Sequence, residues 1–307
     1  MKEIKIFTPA TVANISCGFD ILGLCLDTVG DEMIVREVPE KGIKITKITG
    51  QRLPLESHKN VAGVAGLALL EKVDTSVGYE IEIHKKIKPG SGIGSSAASA
   101  AGAVFAINEL LGKPFSKQEL IYFAMQGEKL ASGTEHADNV SPVLLGGFTL
   151  VKSYLPLEVL KINSPVDLYA TIIHPQIEVK TLDSRAVLKN QVPLKKMVTQ
   201  MGNFGGLICG LYTNDYDLIG RSLHDIIIEP NRLVLIPEFN NVKKSVIDSG
   251  ALGAGISGSG PSIFALSKGE KTAKLVGEVM AEIYNKTDID YDIHVSKINQ
   301  QGIKILK

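Results

Sequence analysis

Two long stretches of this chain carry no charged side chain: Pro89 to Asn108, 20 residues, and Ser249 to Ser267, 19 residues. Both are built largely of Gly, Ala and Ser, and both contain proline. Either is long enough to span a bilayer, but they are too weakly apolar to favour hydrocarbon, so no membrane partner is expected. They also concentrate the glycine. The chain has 30 glycines in 307 residues, where average usage is nearer ~7%. Three lie within 90–94 and five within 250–260. Backbone bared of side chains suits close approach by a ligand, so both stretches are expected to wall an anion site.

Such a site needs no basic surface. The chain has 33 basic and 33 acidic residues, a formal net charge of zero. That excludes a whole-protein affinity for nucleic acid, which normally requires a strong basic excess. At 44% hydrophobic residues the chain can bury a large core, and its length favours two domains. A division near Ser153 to Pro165, between Pro156 and Pro165, gives domains 1–155 and 156–307. The opening MKEIKIFTPA has no long apolar segment, so no secretory signal is expected. Cys17, Cys25 and Cys209 fit no disulfide or metal spacing and suit a reducing cytoplasm.

Periodicity predicts strands at Ile4–Phe7, Asp31–Val38, Val77–His84, Asp167–His174, Pro261–Ser267 and Tyr291–Ile298. It predicts helices at Val61–Val73, Ser95–Leu111, Leu194–Thr213, Asn240–Asp248 and Lys271–Tyr284. A further helix, Ser116–Leu130, opens on the capping box Ser116 to Glu119. Pro142 to Val151 is expected to be a strand pair bent at Gly146-Gly147. The strand–helix alternation of the second half suggests a ferredoxin-like α+β domain.

The segment Gly90-Ser-Gly-Ile-Gly-Ser-Ser-Ala-Ala98 follows a strand and leads into a helix. Uncovered amides and a helix dipole together cradle phosphate. Standard nucleotide motifs are absent. The only Gly-Lys, Gly112-Lys113, is followed by proline, so there is no Walker A loop. The one G-x-G-x-x-G, at Gly253, Gly255 and Gly258, precedes a strand rather than a helix, which excludes a dinucleotide site.

The segment beginning at Pro89 resembles the phosphate loop of the GHMP kinases, with pattern Pro-x-x-x-Gly-Leu-Gly-Ser-Ser-Ala. Lys88 stands where that pattern has proline, and Ile93 replaces its leucine. Gly253-Ala-Gly-Ile-Ser-Gly-Ser-Gly-Pro-Ser262 resembles the third family motif, and Thr8 to Gly23 the first. All three occur in order along the whole chain. Asn14-x-x-x-Gly-Phe-Asp20, His136-Ala-Asp-Asn139, Thr181-x-x-x-Arg185 and Ile228-Glu-Pro-x-Arg232 are similar to the homoserine kinases of that superfamily.

The resemblance implies a two-domain fold, a ribosomal-S5-like α/β domain followed by the ferredoxin-like one. It also implies phosphoryl transfer from ATP to L-homoserine, with Mg²⁺. Two of only five arginines, Arg185 and Arg232, fall where the substrate carboxylate is gripped, and a guanidinium fork suits that task. Asp20 resembles the ammonium acceptor, and Asn14, His136 and Asn139 resemble polar substrate contacts. Asn60 resembles an adenine contact. Pro89, Gly90, Ser91, Gly92, Ile93, Gly94, Ser95, Ser96, Ala97 and Ala98 form the phosphate loop, with Thr181 near the reacting phosphate. Ser96 and Glu128 resemble the metal ligands. The implied catalytic set is Asn139, Arg185 and Glu128. Homoserine kinases have Asn, here Asn139, where other members carry a basic Asp, so no base is expected, and adjacent Asp138 is the rival candidate. Another kinase of the superfamily, such as a mevalonate kinase, and a non-catalytic binding protein are the alternatives. A homodimer is implied as well.

Overall fold

The computed structural model describes residues 2–179, 181–189 and 191–306. In the first half, alternating inward residues build the strands β1 (Glu3–Ala13), β2 (Leu22–Val38), β3 (Gly42–Thr49) and β4 (Gly78–His84). Tyr79, Ile81 and Ile83 point into the core from β4, as their period of two requires. Helices α1 (Val61–Leu70), α2 (Ser95–Leu110) and α3 (Lys117–Ser132) cover one face of this sheet. Ser116 and Glu119 close the expected capping box on α3. The helices approach closely because small residues meet: a β-carbon at Gly127 would stand 2.6 Å from the Val61 carbonyl.

Pro142–Val151 is not a strand pair. Val140–Leu145 is a helix, α4, ended by Gly146 at φ 72°, and only then does β5 (Phe148–Tyr154) begin. The apolar run is short enough to suit either element, and Gly146 acts as a helix stop rather than a hairpin bend. β6 (Leu157–Ile162), in the stretch where the domain division is expected, pairs antiparallel with β5.

The second half supplies β7 (Leu168–Pro175), α5 (Thr181–Ala186), α6 (Leu194–Thr213), α7 (Tyr216–Ser222), α8 (Glu229–Arg232) and α9 (Phe239–Asp248). β8 (Gly253–Ile256), β9 (Ile263–Lys268), α10 (Glu270–Tyr284), β10 (Tyr291–Lys297) and β11 (Lys304–Leu306) follow. A four-stranded sheet runs β10-β7-β9-β8 with α9 and α10 packed on it, a ferredoxin-like arrangement. β11 returns to the first sheet and pairs with β1, giving seven strands there. Leu24, Leu26, Phe148, Ile172, Leu207 and Phe264 form one continuous core between the two halves.

The glycine stretches meet where the halves join. The Ser257 hydroxyl donates to the Gly92 carbonyl at 2.7 Å, and the Ser262 hydroxyl to the Ser91 carbonyl at 2.6 Å. A β-carbon at Gly92 would stand 2.6 Å from the Gly260 carbonyl. Gly92, at φ 82°, therefore serves both the turn and this contact.

Beneath the loop lies a fully buried ion pair. Lys85 Nζ donates to the Asp31 carboxylate, to the Ser95 carbonyl at 2.8 Å and to the Ser99 hydroxyl at 3.1 Å. Asp31 Oδ1 accepts from the Lys86 and Ile87 amides at 2.7 and 2.9 Å. The pair thus ties β2 and the end of β4 to the first turn of α2. Removing one partner strands the other charge, at a cost of about 3–5 kcal/mol. Lys85→Met is expected to lose stability of that order in urea denaturation, and a loss below about 1 kcal/mol would contradict this role.

Candidate active site

A cavity of about 640 Å³ opens at the join, floored by the phosphate loop and the first turn of α2. Pro89, Gly90, Ser91, Gly92, Gly94, Ser95 and Ser96 line it, as do Asn14, Asp20, Glu128, His136, Asn139, Arg185 and Arg232. Residues from both halves of the chain thus converge on one space.

The substrate-like end begins with a strained turn. Asn14, Ile15 and Ser16 hold φ of 70°, 40° and 58° in succession, and Asp20 holds 61°. A β-branched residue in the left-handed region is a genuine outlier, and each such residue costs of order 1–3 kcal/mol. The Asn14 amide fastens the turn. Its Nδ2 donates to the Gly258 carbonyl at 2.7 Å, and its Oδ1 accepts from the Asp20 amide at 3.0 Å. The Tyr154 hydroxyl donates to the Asp20 carbonyl at 3.0 Å.

Asp20 and the two arginines face one another. Arg185 Nη2 donates to both Asp20 carboxylate oxygens at 2.9 Å and to His136 Nε2 at 2.9 Å. Burial pulls the His136 imidazole below its ordinary pKa, which favours the neutral, accepting ring. Arg232 Nε donates to the Ser184 carbonyl at 3.1 Å and Nη1 to the Gly258 carbonyl at 3.0 Å. Burial brings Arg232 down to about 10, still a cation at neutral pH. Phe19 lies under both guanidinium groups, 5.7 Å from Arg185 and 5.0 Å from Arg232. A cluster with two fixed guanidiniums and one carboxylate can take a ligand carrying both charges.

At the other end, α3 presents Glu128. Its carboxyl is fully buried, and burial pushes it up to about 7 against the opposing Ser96 hydrogen bond and the Lys85 charge. Glu128 Oε1 has no hydrogen-bond partner among the described residues. Asp138 is equally buried and also rises to about 7, through burial first and then the Asp20 and Glu128 charges. Among the described residues no three His, Cys, Asp or Glu side chains gather as a metal cluster. One orphaned carboxylate oxygen beside one hydroxyl suits a cation held chiefly by phosphate and water, as Mg²⁺ is.

Several expected residues sit elsewhere. Ile93, Ala97 and Ala98 are buried in the core and do not line the cavity. Asn60 does not line it either: it caps α1, accepting from the Ala62 amide at 3.0 Å and donating to the Pro54 carbonyl at 2.8 Å. Leu53 and Val61 flank it on the cavity wall. The side chain of Thr181 lies outside the described residues. The second glycine stretch lines the cavity with Gly258 and Ser259, and its Gly258 carbonyl accepts from Asn14 and Arg232. Lys85, Thr11 and Phe19 were missed. Lys85 lies in a lysine-rich run with Lys86 and Lys88 and carries no distinguishing signal, whereas Thr11 and Phe19 fall inside the first motif.

The chain is similar to known proteins along its whole length. The model of the GHMP kinases N terminal domain matches residues 59–147, and that of the GHMP kinases C terminal domain matches 207–286. A homoserine kinase of Chlorobium phaeobacteroides is 46% identical over the whole of both chains. The crystal structure of homoserine kinase from Cytophaga hutchinsonii superposes with a TM-score of 0.96 at 52% identity, covering 100% of this chain and 98% of that one. The L. major mevalonate kinase in complex with R-mevalonate shares the fold, with a TM-score of 0.72 at 17% identity over 96% of each chain. The chain belongs to the GHMP kinase family, among its homoserine kinases.

Proposed function

We propose that this chain transfers the γ-phosphoryl group of ATP to the side-chain hydroxyl of L-homoserine, giving O-phospho-L-homoserine and ADP for threonine biosynthesis. The observation that carries the substrate reading is the Asp20, Arg185 and Arg232 cluster in the same cavity as the phosphate loop. The substrate carboxylate lies against Arg185 and Arg232, and its ammonium group against Asp20. A mevalonate-like acid carries no ammonium group to donate to Asp20, whose carboxylate then has only Arg185 as its cationic partner.

Pro89 to Ser96 cradle the phosphates with amides and the α2 dipole, and Thr181 is assigned beside the reacting phosphate. The adenine lies by Leu53 and Val61, near the cap formed by Asn60. Ser96 and Glu128 would hold Mg²⁺, which would supply positive charge to stabilise the transferring phosphoryl group. The hydroxyl oxygen bonds to phosphorus in line as the bridging oxygen leaves with ADP. A loose transition state asks little of a base, so the hydroxyl proton passes to the phosphoryl oxygens. His136 acts as a neutral prop for Arg185, and Asn139 faces the hydroxyl.

The family resemblance and the exposed apolar stripe Leu194, Val198, Met201 and Tyr212 along α6 support a homodimer, working in the cytoplasm.

Three outcomes are expected. ADP release with Mg²⁺ is expected to depend on homoserine and not on mevalonate or galactose, and no turnover at millimolar homoserine would sink the proposal. Asp138→Asn, which mimics the neutral acid, is expected to keep kcat within about tenfold. A loss beyond ~10³-fold with KM intact would make Asp138 the base. Val198→Lys with Met201→Lys is expected to give monomers in sedimentation velocity, while an unchanged dimer would remove α6 from the interface.

A further inference from the structure

Asn139 stands at the N-cap of α4, where an Asn side chain ordinarily accepts from the helix amides. Here it makes no such bond. Its Oδ1 instead accepts from the Thr11 hydroxyl at 2.7 Å, across 128 residues of sequence. Thr11 is fully buried and sits at a bulge in β1 where the pairing with β2 shifts register. Its own amide donates to the Ile93 carbonyl at 3.1 Å. One residue thereby joins the phosphate loop by its backbone and Asn139 by its side chain. The room for that hydroxyl exists because position 94 is glycine at φ 73°: a β-carbon there would stand 2.1 Å from Thr11 Oγ1 and 3.1 Å from Asn139 Oδ1.

A primary amide has one oxygen and one NH₂ group. With Oδ1 held by the Thr11 proton, Nδ2 is the end left to face the cavity that Asn139 lines. We propose that Thr11 is a positioning residue for phosphoryl transfer. Its hydroxyl fixes the Asn139 amide so that Nδ2 donates to the substrate hydroxyl oxygen that attacks phosphorus. This rests on the homoserine reading above. It assigns Asn139 as a hydrogen-bond donor, unable to take the hydroxyl proton. The same contact sets the distance between the attacking oxygen and the phosphate loop, because Thr11 is bonded to both sides.

The experiment is steady-state kinetics with ATP, Mg²⁺ and homoserine, beside thermal melting of each variant. Failure of wild-type turnover would strike the substrate reading itself. With wild type active, Thr11→Val removes the hydroxyl at constant volume. It is expected to lower kcat by about 10–100-fold, since small misplacements of reacting groups cost up to ~10². The KM for ATP is expected to stay within about threefold, and Thr11→Ser to recover most of kcat. On an Asn139→Ala background the valine change is expected to cost nothing further, because the two act as a unit. Wild-type kcat in Thr11→Val, or a full additive loss on Asn139→Ala, would overturn the proposal. Should the valine variant melt below assay temperature, Asn139→Asp decides. It keeps an oxygen toward Thr11 and replaces the donor with an acceptor. A loss equal to that of Asn139→Ala is expected, and wild-type activity would overturn the assignment.

Discussion

Two serine hydroxyls hold the working surface of this protein together. Ser257 and Ser262, on the turn between β8 and β9, donate to the carbonyls of Gly92 and Ser91 in the phosphate loop. Because those carbonyls face the second half of the chain, the loop is anchored from behind. The contact demands glycine on both sides, since a side chain at Gly92 would meet the Gly260 carbonyl. Both uncharged stretches therefore carry glycine where they meet, and only the first leads into a helix. The other braces it and offers the Gly258 carbonyl to Asn14 and Arg232.

Charge is used sparingly and mostly underground. In a chain of zero net charge, the glycine loop and the first turn of α2 line the cavity, and one lysine is buried below them. That lysine does not reach outward, because Asp31, the Ser95 carbonyl and Ser99 take its donors. At the opposite end the positive charge is concentrated in Arg185 and Arg232, stacked against Phe19 and offset by Asp20. The left-handed turn at Asn14 to Ser16 stores strain that the Asn14 amide and the Gly258 carbonyl hold in place.

Much of this architecture is legible in the order of residues alone. Long periodic elements such as Leu194–Thr213 and Lys271–Tyr284 announce themselves, since burial of one face fixes the period, and α6 has the expected ends. The loop glycines and the two arginines stand out by type and spacing. Short elements are harder to read. Val140–Leu145 is a short, mostly apolar segment compatible with helix or strand, and its outcome depends on tertiary packing. β8 is a strand rich in glycine, which local propensity argues against, yet it pairs with β9. Lys85 is invisible in the sequence because burial is a property of the fold. Ile93, Ala97 and Ala98 belong to the loop by position, but their side chains serve the core.

The proposed reaction requires one cavity to place an amino-acid hydroxyl in line with the terminal phosphate of ATP. The most direct test is ³¹P NMR of the products formed from ATP, Mg²⁺ and L-homoserine. A phosphomonoester resonance coupled to the side-chain methylene protons, appearing in step with ADP, is the predicted result. Inorganic phosphate alone, or a phosphate carried on the carboxylate, would contradict it.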